Sequence, residues 1–369
     1  MTQPATREPL ISVLLEPARA VDLQPREWND VLVQARRSSL LARLGVQLAE
    51  QGLLGRIPAK ARDQIRAACI AAESSQTAVR FEVNRVLRAL SNAAVPIVLL
   101  KGAAYLAANL PPASGRHVGD LDLMVPRDRI ESVERTLIAS GWTRAELDPY
   151  DDRYYRQWAH EIPPLQHPDR ETPLDVHHTI VPLTSRTRPD AAALFAASLR
   201  LPGSPLRVLA PADMVLHSAV HLFNDEVGKP LRDLLDLHDL MCCFGAGNEF
   251  WTELIARARL HGLGRPLHYA LRCAKRLFGT PIPPGAMDAV AIWAPSRPVR
   301  GPMEWLFDQY FIPEPPERPR RGAALARGTL YLRAHWLRMP PLMLARHLSI
   351  KAWHRGRDRF ERKPEQQGG

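Results

Sequence analysis

The stretch Gly115-Arg116-His117-Val118-Gly119-Asp120-Leu121-Asp122-Leu123-Met124-Val125 places two carboxylates inside a segment whose composition predicts a buried strand. Because strand side chains alternate between the faces of a sheet, Asp120 and Asp122 share one face and Leu121 and Leu123 point to the other. Aspartate is depleted in strands, and two like charges side by side repel each other. We therefore expect a cation against the acidic face. Mg²⁺ carrying a nucleoside triphosphate meets that need, because hard cations bind carboxylate oxygens and keep positions for phosphate.

The composition describes a folded protein. The chain has 369 residues, of which 46% are hydrophobic and 24% charged, enough for a substantial core and two or three domains. Its first residues contain no apolar run typical of a signal peptide, and the apolar run at 93–100 is too short to cross a bilayer. We expect a protein without a transmembrane segment, located in the cytoplasm.

The positive charge is concentrated near the carboxyl end. Residues 318–363 hold thirteen Lys or Arg and two acidic residues, a surplus that accounts for the net charge of +10. Aromatic residues interleave with these cations, as in surfaces that bind nucleic acid or an anionic membrane. At helical spacing the same pattern also describes a solvated arginine-rich face with an aromatic side packed on the core, and both interpretations stay open. The aromatic residues are Tyr331, Trp336, Trp353 and Phe360.

Periodicity along the chain predicts an α+β protein: a small mixed β-sheet core flanked by helical amino-terminal and carboxy-terminal regions. The predicted units are a helical region at 1–92, an α/β core at 93–205, a helical domain at 206–310 and a basic helical tail at 311–369. Within the core we predict strands at 95–100, around the two aspartates, and at 142–146, 154–160 and 173–180. Helices are predicted at 103–109, 127–140, 212–223, 231–244, 250–261 and 266–278, and basic helices at 321–361 with an interruption at Pro340-Pro341. A proline-rich linker is predicted at 202–211.

Five sequence blocks, in this order, resemble the nucleotidyltransferase superfamily related to DNA polymerase β, and in particular its uncharacterised bacterial branch. The resemblance covers roughly residues 80–245. The blocks are Leu100-Lys101-Gly102; Arg116 with Gly119-Asp120-Leu121-Asp122-Leu123-Met124-Val125; Leu174-Asp175-Val176-His177; Ala210-Pro211-Ala212-Asp213 before His217 and His221; and Leu231-Arg232-Asp233-Leu234-Leu235-Asp236-Leu237.

The resemblance implies a site for Mg²⁺ and a nucleoside triphosphate, with ATP as the favoured donor. Asp120 and Asp122 would bind the metal and the triphosphate, and Asp175 on a neighbouring strand would complete the triad and help to activate an acceptor hydroxyl. Two ions about 4 Å apart can stabilise both the attacking oxygen and the leaving pyrophosphate. The alternative from the residues alone is that the pair caps a loop and that Asp175 forms an ion pair with an arginine.

Four further residues are candidates for binding the nucleotide. Gly102 lets the backbone approach phosphate at a helix amino terminus, and Lys101 offers a cation beside it. Arg116 could hold a phosphate oxygen, and His177 could orient a carboxylate or donate to phosphate. A surface arginine and a packed histidine are the structural alternatives.

The chain departs from the superfamily pattern at the turn after the first strand. Superfamily members usually carry Gly-Ser there, whereas this sequence reads Lys101-Gly102-Ala103, without the hydroxyl that contacts phosphate. The missing hydroxyl favours a second hypothesis, a catalytically silent module that binds a nucleotide or a partner. The intact carboxylates favour transfer of a nucleoside monophosphate to a hydroxyl or phosphate acceptor that the sequence does not identify.

A third hypothesis rests on histidines at helical spacing. Asp213, His217 and His221 recur every four residues, and His238-Asp239 follows, as in metal-dependent phosphohydrolases of the His-Asp type or a zinc site. A zincin helix would need a glutamate that His217-Ser218-Ala219-Val220-His221 lacks. The family resemblance assigns the same residues to packing of the helical domain.

Overall fold

The computed structural model describes residues 8–146, 152–153, 155, 158–225, 228–314, 320–341 and 343–344. Its amino-terminal part is helical, as predicted, with a break near residues 51–58. Proline stands in the first turn of the second helix, where its missing N–H costs nothing, and Gln24 with Glu27 forms a capping box. The helices are α1 (Pro9–Leu15), α2 (Pro25–Arg37), α3 (Leu41–Glu50) and α4 (Ala59–Ala89).

Seven short strands of the described chain form one mixed sheet in the order β3-β4-β5-β2-β1-β7-β6. β2 runs parallel to β5 and antiparallel to β1, so the two strands that carry the predicted site lie side by side at the centre. The strands are β1 (Val98–Leu99), β2 (Leu121–Met124), β3 (Thr143–Arg144), β4 (Leu165–Gln166), β5 (Leu174–His177), β6 (Leu199–Arg200) and β7 (Arg207–Val208).

The helices between these strands include α5 (Lys101–Ala107), α6 (Ile130–Ala139) and α7 (Ala191–Ala197). All four residues of β2 are buried, so its apolar side chains are locked into the core. Leu121 and Leu123 are fully covered. Burial of each such side chain contributes about 1.5–3 kcal/mol, so the alternation around Asp122 is held in place by the apolar face of the strand.

The carboxy-terminal part is again helical. Helix α8 (Pro211–Asn224) packs against the three helices that follow it in the chain and against the helix at 323–338. The predicted helices at 212–223, 231–244, 250–261 and 266–278 are confirmed within two residues. The following helices are α9 (Pro230–Phe244), α10 (Asn248–Leu260), α11 (Gly264–Phe278), α12 (Pro284–Val290), α13 (Arg297–Phe311) and α14 (Ala323–Arg338).

Two local predictions are wrong. The segment 202–211 is not only a linker, because β7 pairs in parallel with β1 and in antiparallel with β6. The strand predicted at 154–160 is not formed by its described residues, since Tyr155 is helical and 158–160 lie in turns and bends, while 154, 156 and 157 fall outside the described residues. The first error arises because strands of two residues, such as β6 and β7, are too short to show an alternation of apolar and polar residues. Helices α12 and α13 were not predicted either, because both begin in proline-rich sequence.

The fold is α+β, with helices flanking a central mixed sheet, as predicted. Buried apolar side chains from Leu10 to Leu330 form one continuous cluster that joins the sheet to both helical parts. The boundaries between the four predicted units stay a prediction.

Candidate active site

Three carboxylates converge at the centre of the sheet. The parallel register pairs Asp122 of β2 with Asp175 of β5, so both side chains leave the same face at the same level. Asp120 precedes β2 by one residue and points to that face as well. Carboxylate oxygens of the three residues lie within 4.8 Å of one another. The predicted triad is therefore brought together by strand pairing between segments more than fifty residues apart.

Asp122 is the buried member of the triad, with 3% of its surface exposed. Its Oδ1 accepts hydrogen bonds from Lys101 Nζ at 3.2 Å and from His177 Nε2 at 2.9 Å. Burial favours the neutral acid, but the two cations outweigh it and hold the pKa of Asp122 well below its usual range. Neither contact uses Oδ2. Asp122 is consequently a fixed anion near neutral pH.

Asp175 differs from Asp122 in the direction in which its surroundings shift its pKa. Burial, followed by the charges of Asp122 and Glu161, raises the pKa of Asp175 to about 7. Its Oδ1 is buried and has no hydrogen-bond partner within the described residues. A buried acceptor without a donor costs about 1–3 kcal/mol. An uncompensated carboxylate oxygen beside two other carboxylates fits a divalent cation, because such a cation removes both the repulsion and the missing contact.

Asp120 is the exposed member of the triad. Partial removal of water and the neighbouring Asp122 charge raise its pKa, with Lys101 acting in the opposite direction. Its exposure gives the triad an opening toward a ligand. The three carboxylates thus range from exposed to buried along one face, an arrangement that can hold an ion between protein oxygens and ligand oxygens.

The turn between β1 and α5 brings Lys101 to this face. Lys101 has a φ of +44°, in the left-handed region that side chains other than glycine rarely adopt. Such a residue costs of order 1–3 kcal/mol and clusters at functional sites. A Cβ on the following Gly102 would lie 3.0 Å from Val118 Cγ1, a tight contact, so a larger residue there would require the Val118 side chain to shift. The Lys101 ammonium lies at the triad because of this strained turn.

A cavity of about 360 Å³ opens beside the triad. Both acidic and basic side chains line it, and the basic ones come from the start of α5, the loop before β2, α8 and the start of α9. The mixture suits a ligand that carries both metal ions and phosphates. Its lining includes Lys101, Gly102, Tyr105, Arg116, His117, Asp120, Asp122, Ser218, His221, Lys229, Arg232, Asp233 and Asp236.

A family model described as "Uncharacterised nucleotidyltransferase" matches residues 24–279, more than half of the chain. The chain belongs to this family. The match includes the triad, the Lys101 turn and the helices α8 and α9 that close the cavity. No curated protein matches the sequence. Family membership makes a nucleotide the expected ligand and a transferase the coarse class of the protein.

In this member of the family, Arg116 lines the cavity but is engaged by acidic residues of α9. Its guanidinium forms an ion pair with Asp236 and lies 4.0 Å from Asp233. It also lies over the Tyr105 ring, 5.6 Å from the centroid. Arg116 therefore ties the loop before β2 to α9. The acidic positions of α9 carried a sequence signal, since two aspartates interrupt the apolar block 231–237, but their partner was not predictable from that block.

Lys229 and Arg232 are cavity cations that the sequence reasoning missed. Lys229 immediately precedes α9, Arg232 lies in its first turn, and both line the cavity. Lys229 Nζ donates to the Arg37 carbonyl at 2.8 Å, and Arg232 pairs with Asp233. Nothing in their spacing distinguished them from the many other basic residues of the chain.

His177 lies behind the triad, with 1% of its surface exposed. Its Nε2 contacts Asp122, and its Nδ1 lies 3.3 Å from Glu161 Oε2. Burial alone would lower the pKa of His177, but Glu161 and Asp122 raise it above its usual value. Of its predicted roles, orientation of a carboxylate is the one that these contacts match.

The residues of the His-Asp hypothesis are not brought together. Asp213 contacts Arg257 and His261, and His221 contacts Asp225. His238 hydrogen-bonds to Thr280, while Asp239 pairs with Arg43. Among the described residues, the groups of His, Cys, Asp and Glu that could hold a metal include none of these side chains. Asp213 and Asp239 thus form ion pairs between helices, while His221 also lines the cavity beside the triad.

The described part of the basic tail packs on the body of the protein. Arg186 stacks on Trp336 at 4.4 Å, and Arg333 stacks on Tyr269 at 5.5 Å. Trp353 and Phe360 lie outside the described residues. Within the described chain, none of the helices is both long enough and apolar enough to span a membrane.

Proposed function

We propose that this protein is a divalent-metal-dependent nucleotidyltransferase that moves a nucleoside monophosphate from a nucleoside triphosphate to an acceptor. The observation that carries the proposal is the convergence of Asp120, Asp122 and Asp175 within 4.8 Å, with a buried Asp175 oxygen that has no protein donor among the described residues. Mg²⁺ is the favoured metal and ATP the favoured donor. The acceptor is a hydroxyl or a phosphate-bearing group.

In this proposal the three carboxylates would hold the metal. When bound, a divalent ion offsets the charge of the triphosphate and of the leaving pyrophosphate. Lys101 and His177 keep Asp122 ionised and oriented, which prepares the site before the substrate arrives. Asp175 accepts the proton that the acceptor hydroxyl loses as its oxygen attacks the α-phosphorus. The bond from the α-phosphorus to the β-phosphate oxygen breaks, and pyrophosphate leaves.

The cations around the cavity have distinct roles in the proposal. Lys229 and Arg232 line the same cavity as Asp120 and Asp122, where they would bind phosphate oxygens. Lys101 replaces the missing hydroxyl of the Gly-Ser pattern with a charge. Arg116, already paired with Asp236, positions the loop that leads into Asp120. The proposal thus assigns triphosphate binding to side chains of α9 and to the Lys101 turn rather than to Arg116 alone.

The test is pyrophosphate release from ATP with Mg²⁺, measured across pools of small-molecule, protein and RNA acceptors. We expect Asp120→Asn, Asp122→Asn and Asp175→Asn to lower the rate, because an amide does not supply the carboxylate charge to the metal. Asp128→Asn is the matched control, since this exposed aspartate pairs with Arg129 away from the cavity. Full activity in the Asp120 and Asp122 variants would refute the mechanism.

Calorimetry separates this function from a silent binding module. Binding of a nonhydrolysable ATP analogue that requires Mg²⁺ and is lost in Asp122→Asn, together with turnover on some acceptor, supports the transferase. If the analogue binds but no acceptor pool supports turnover, the result supports the catalytically silent binding module. The absence of a Ser at position 103 also favours that module.

A further inference from the structure

A second group of potential metal ligands lies directly behind the triad. His160, Glu161 and His177 each offer a ligand atom, and these atoms lie within 4.8 Å of one another. None of them belongs to the nucleotide cavity described above. The group has two imidazoles and one carboxylate, a donor set that differs in kind from the all-carboxylate triad.

Backbone pairing places the group. Glu161 forms an isolated antiparallel bridge with His177 of β5, and the amide of His178 donates to the carbonyl of His160. Residues directly opposite in such a pair have neighbouring side chains. The rings of His160 and His177 lie 5.0 Å apart between centroids and are tilted by 41°. The group is therefore held by the sheet and not by a surface loop alone.

Within the described chain, hydrogen bonding leaves one nitrogen of each of the two facing rings without a partner. His177 Nε2 hydrogen-bonds to Asp122, whereas its Nδ1 lies 3.3 Å from Glu161 Oε2 and has no hydrogen-bond partner among the described residues. His160 faces the same imidazole, and its Nδ1 is also buried without a hydrogen-bond partner among the described residues. Two histidine rings in contact, each with an unpartnered nitrogen, point to a ligand between them.

We propose that His160, Glu161 and His177 form a binding site for a divalent transition-metal ion, of which Zn²⁺ is the ion to test. Two imidazoles and one carboxylate are a known donor set for Zn²⁺, and the hard cation Mg²⁺ prefers an all-oxygen site. The ion binds Nδ1 of His177 in place of a proton, which leaves to solvent. Nε2–H of the same ring then still donates to Asp122.

This arrangement links the two sites through one imidazole. A carboxylate that accepts from the far nitrogen of a metal-bound histidine fixes its tautomer and orientation, and here that carboxylate is Asp122. An ion in the second site would in turn hold Asp122 in place through the same hydrogen bond. The inference does not rest on the proposed transferase activity, because metal binding is measured without nucleotide.

The experiment uses the full chain without a polyhistidine tag, stripped of metal by a chelator and dialysed. Zn²⁺ is titrated by calorimetry in excess Mg²⁺, which occupies all-oxygen sites, and Co²⁺ is titrated with visible absorption as a probe of nitrogen coordination. We expect one equivalent of either ion and a Co²⁺ absorption band typical of nitrogen and oxygen ligands in a low-coordinate site.

Substitutions locate the ion. His160→Ala and Glu161→Gln should weaken binding at least about tenfold and remove the Co²⁺ band, while circular dichroism reports that the fold is intact. Matched controls are His117→Ala and Asp169→Asn, an exposed histidine and an exposed acid outside the group. Asp120→Asn should leave the band unchanged, which distinguishes this site from the triad. Absence of stoichiometric binding, or binding unaffected by His160→Ala and Glu161→Gln, would overturn the proposal.

Discussion

Buried aspartates occur in two parts of this molecule, and their neighbours differ. In the helical layer of α8 and α9 each carboxylate has an arginine: Asp213 with Arg257, Asp233 with Arg232, Asp236 with Arg116 and Asp239 with Arg43. On the central sheet three carboxylates face one another, and the cations that approach them both contact Asp122 alone.

The difference in pairing distinguishes aspartates that stabilise the fold through ion pairs from aspartates that are available to bind a ligand. Asp213 is held by two nitrogens of Arg257, and the loss of either partner of such a buried pair leaves an uncompensated charge. The sheet carboxylates repel one another, which destabilises the fold. Such a cluster of carboxylates indicates a functional site. The four predictions below test this contrast, from the largest expected effect to the smallest.

Asp120→Asn should reduce pyrophosphate release about a hundred- to a thousandfold, the effect of removing one preorganised electrostatic contact. The free energy of unfolding should stay the same or rise, because Asp120 is exposed and repels Asp122. Steady-state kinetics and urea denaturation measure the two quantities. A variant that loses stability in proportion to activity would place Asp120 with the structural aspartates.

Arg257→Met should show the reverse pattern. Arg257 donates to fully buried Asp213 through Nε at 2.8 Å and Nη2 at 2.5 Å. Its loss should lower the free energy of unfolding by about 3–5 kcal/mol, with little change in the activity of the folded fraction. Adding Asp213→Asn should recover part of the lost free energy of unfolding, since it removes the buried carboxylate that has no partner after Arg257→Met. No recovery in the double variant would argue against the ion pair as the cause.

Asp175 and Asp239 allow a matched comparison by pH. Burial raises the pKa of each to about 7, well above the unfolded value near 4. Between these values the folded state binds the proton more tightly, so the free energy of unfolding falls as the pH rises from about 4 to about 7. Replacement of either residue by asparagine should remove that slope, a difference of up to about 4 kcal/mol.

Excess Mg²⁺ distinguishes the two sites. It should flatten the part of the slope that depends on Asp175, because a cation favours the ionised carboxylate, and leave the part from Asp239 beside Arg43 unchanged. Urea denaturation of the wild type and both variants, at several pH values with and without Mg²⁺, measures this. If Mg²⁺ changed the pH dependence equally at Asp175 and Asp239, the sheet carboxylates would not differ from those of the helices in cation binding.

The smallest effect concerns the strained turn at Lys101. Lys101→Gly and Lys101→Met both remove the ammonium from Asp122, but only glycine adopts a φ of +44° without strain. The glycine variant should be more stable than the methionine variant by about 1 kcal/mol. Both should lose activity. Equal stability would show that the turn relaxes when the ammonium contact is absent.

Much of this site could be anticipated from local patterns. The alternation of Asp120 and Asp122 with leucines specifies a strand with one acidic face whatever surrounds it, and the long helices follow from their apolar periods and proline starts. Lys101-Gly102 at a strand-to-helix turn and Asp175 in an apolar run were visible for the same reason. Each of these signals lies within a window of a few residues.

What the tertiary structure decided is which of these residues meet. The parallel register that sets Asp175 opposite Asp122, the bridge that sets Glu161 beside His177, and the pairing of Arg116 with Asp236 all join segments far apart in the chain. Local sequence determines which face a side chain takes, because backbone geometry has a fixed period. Partners across the fold depend on the packing of the whole core, since 49 basic residues offer many competing matches for 39 acidic ones.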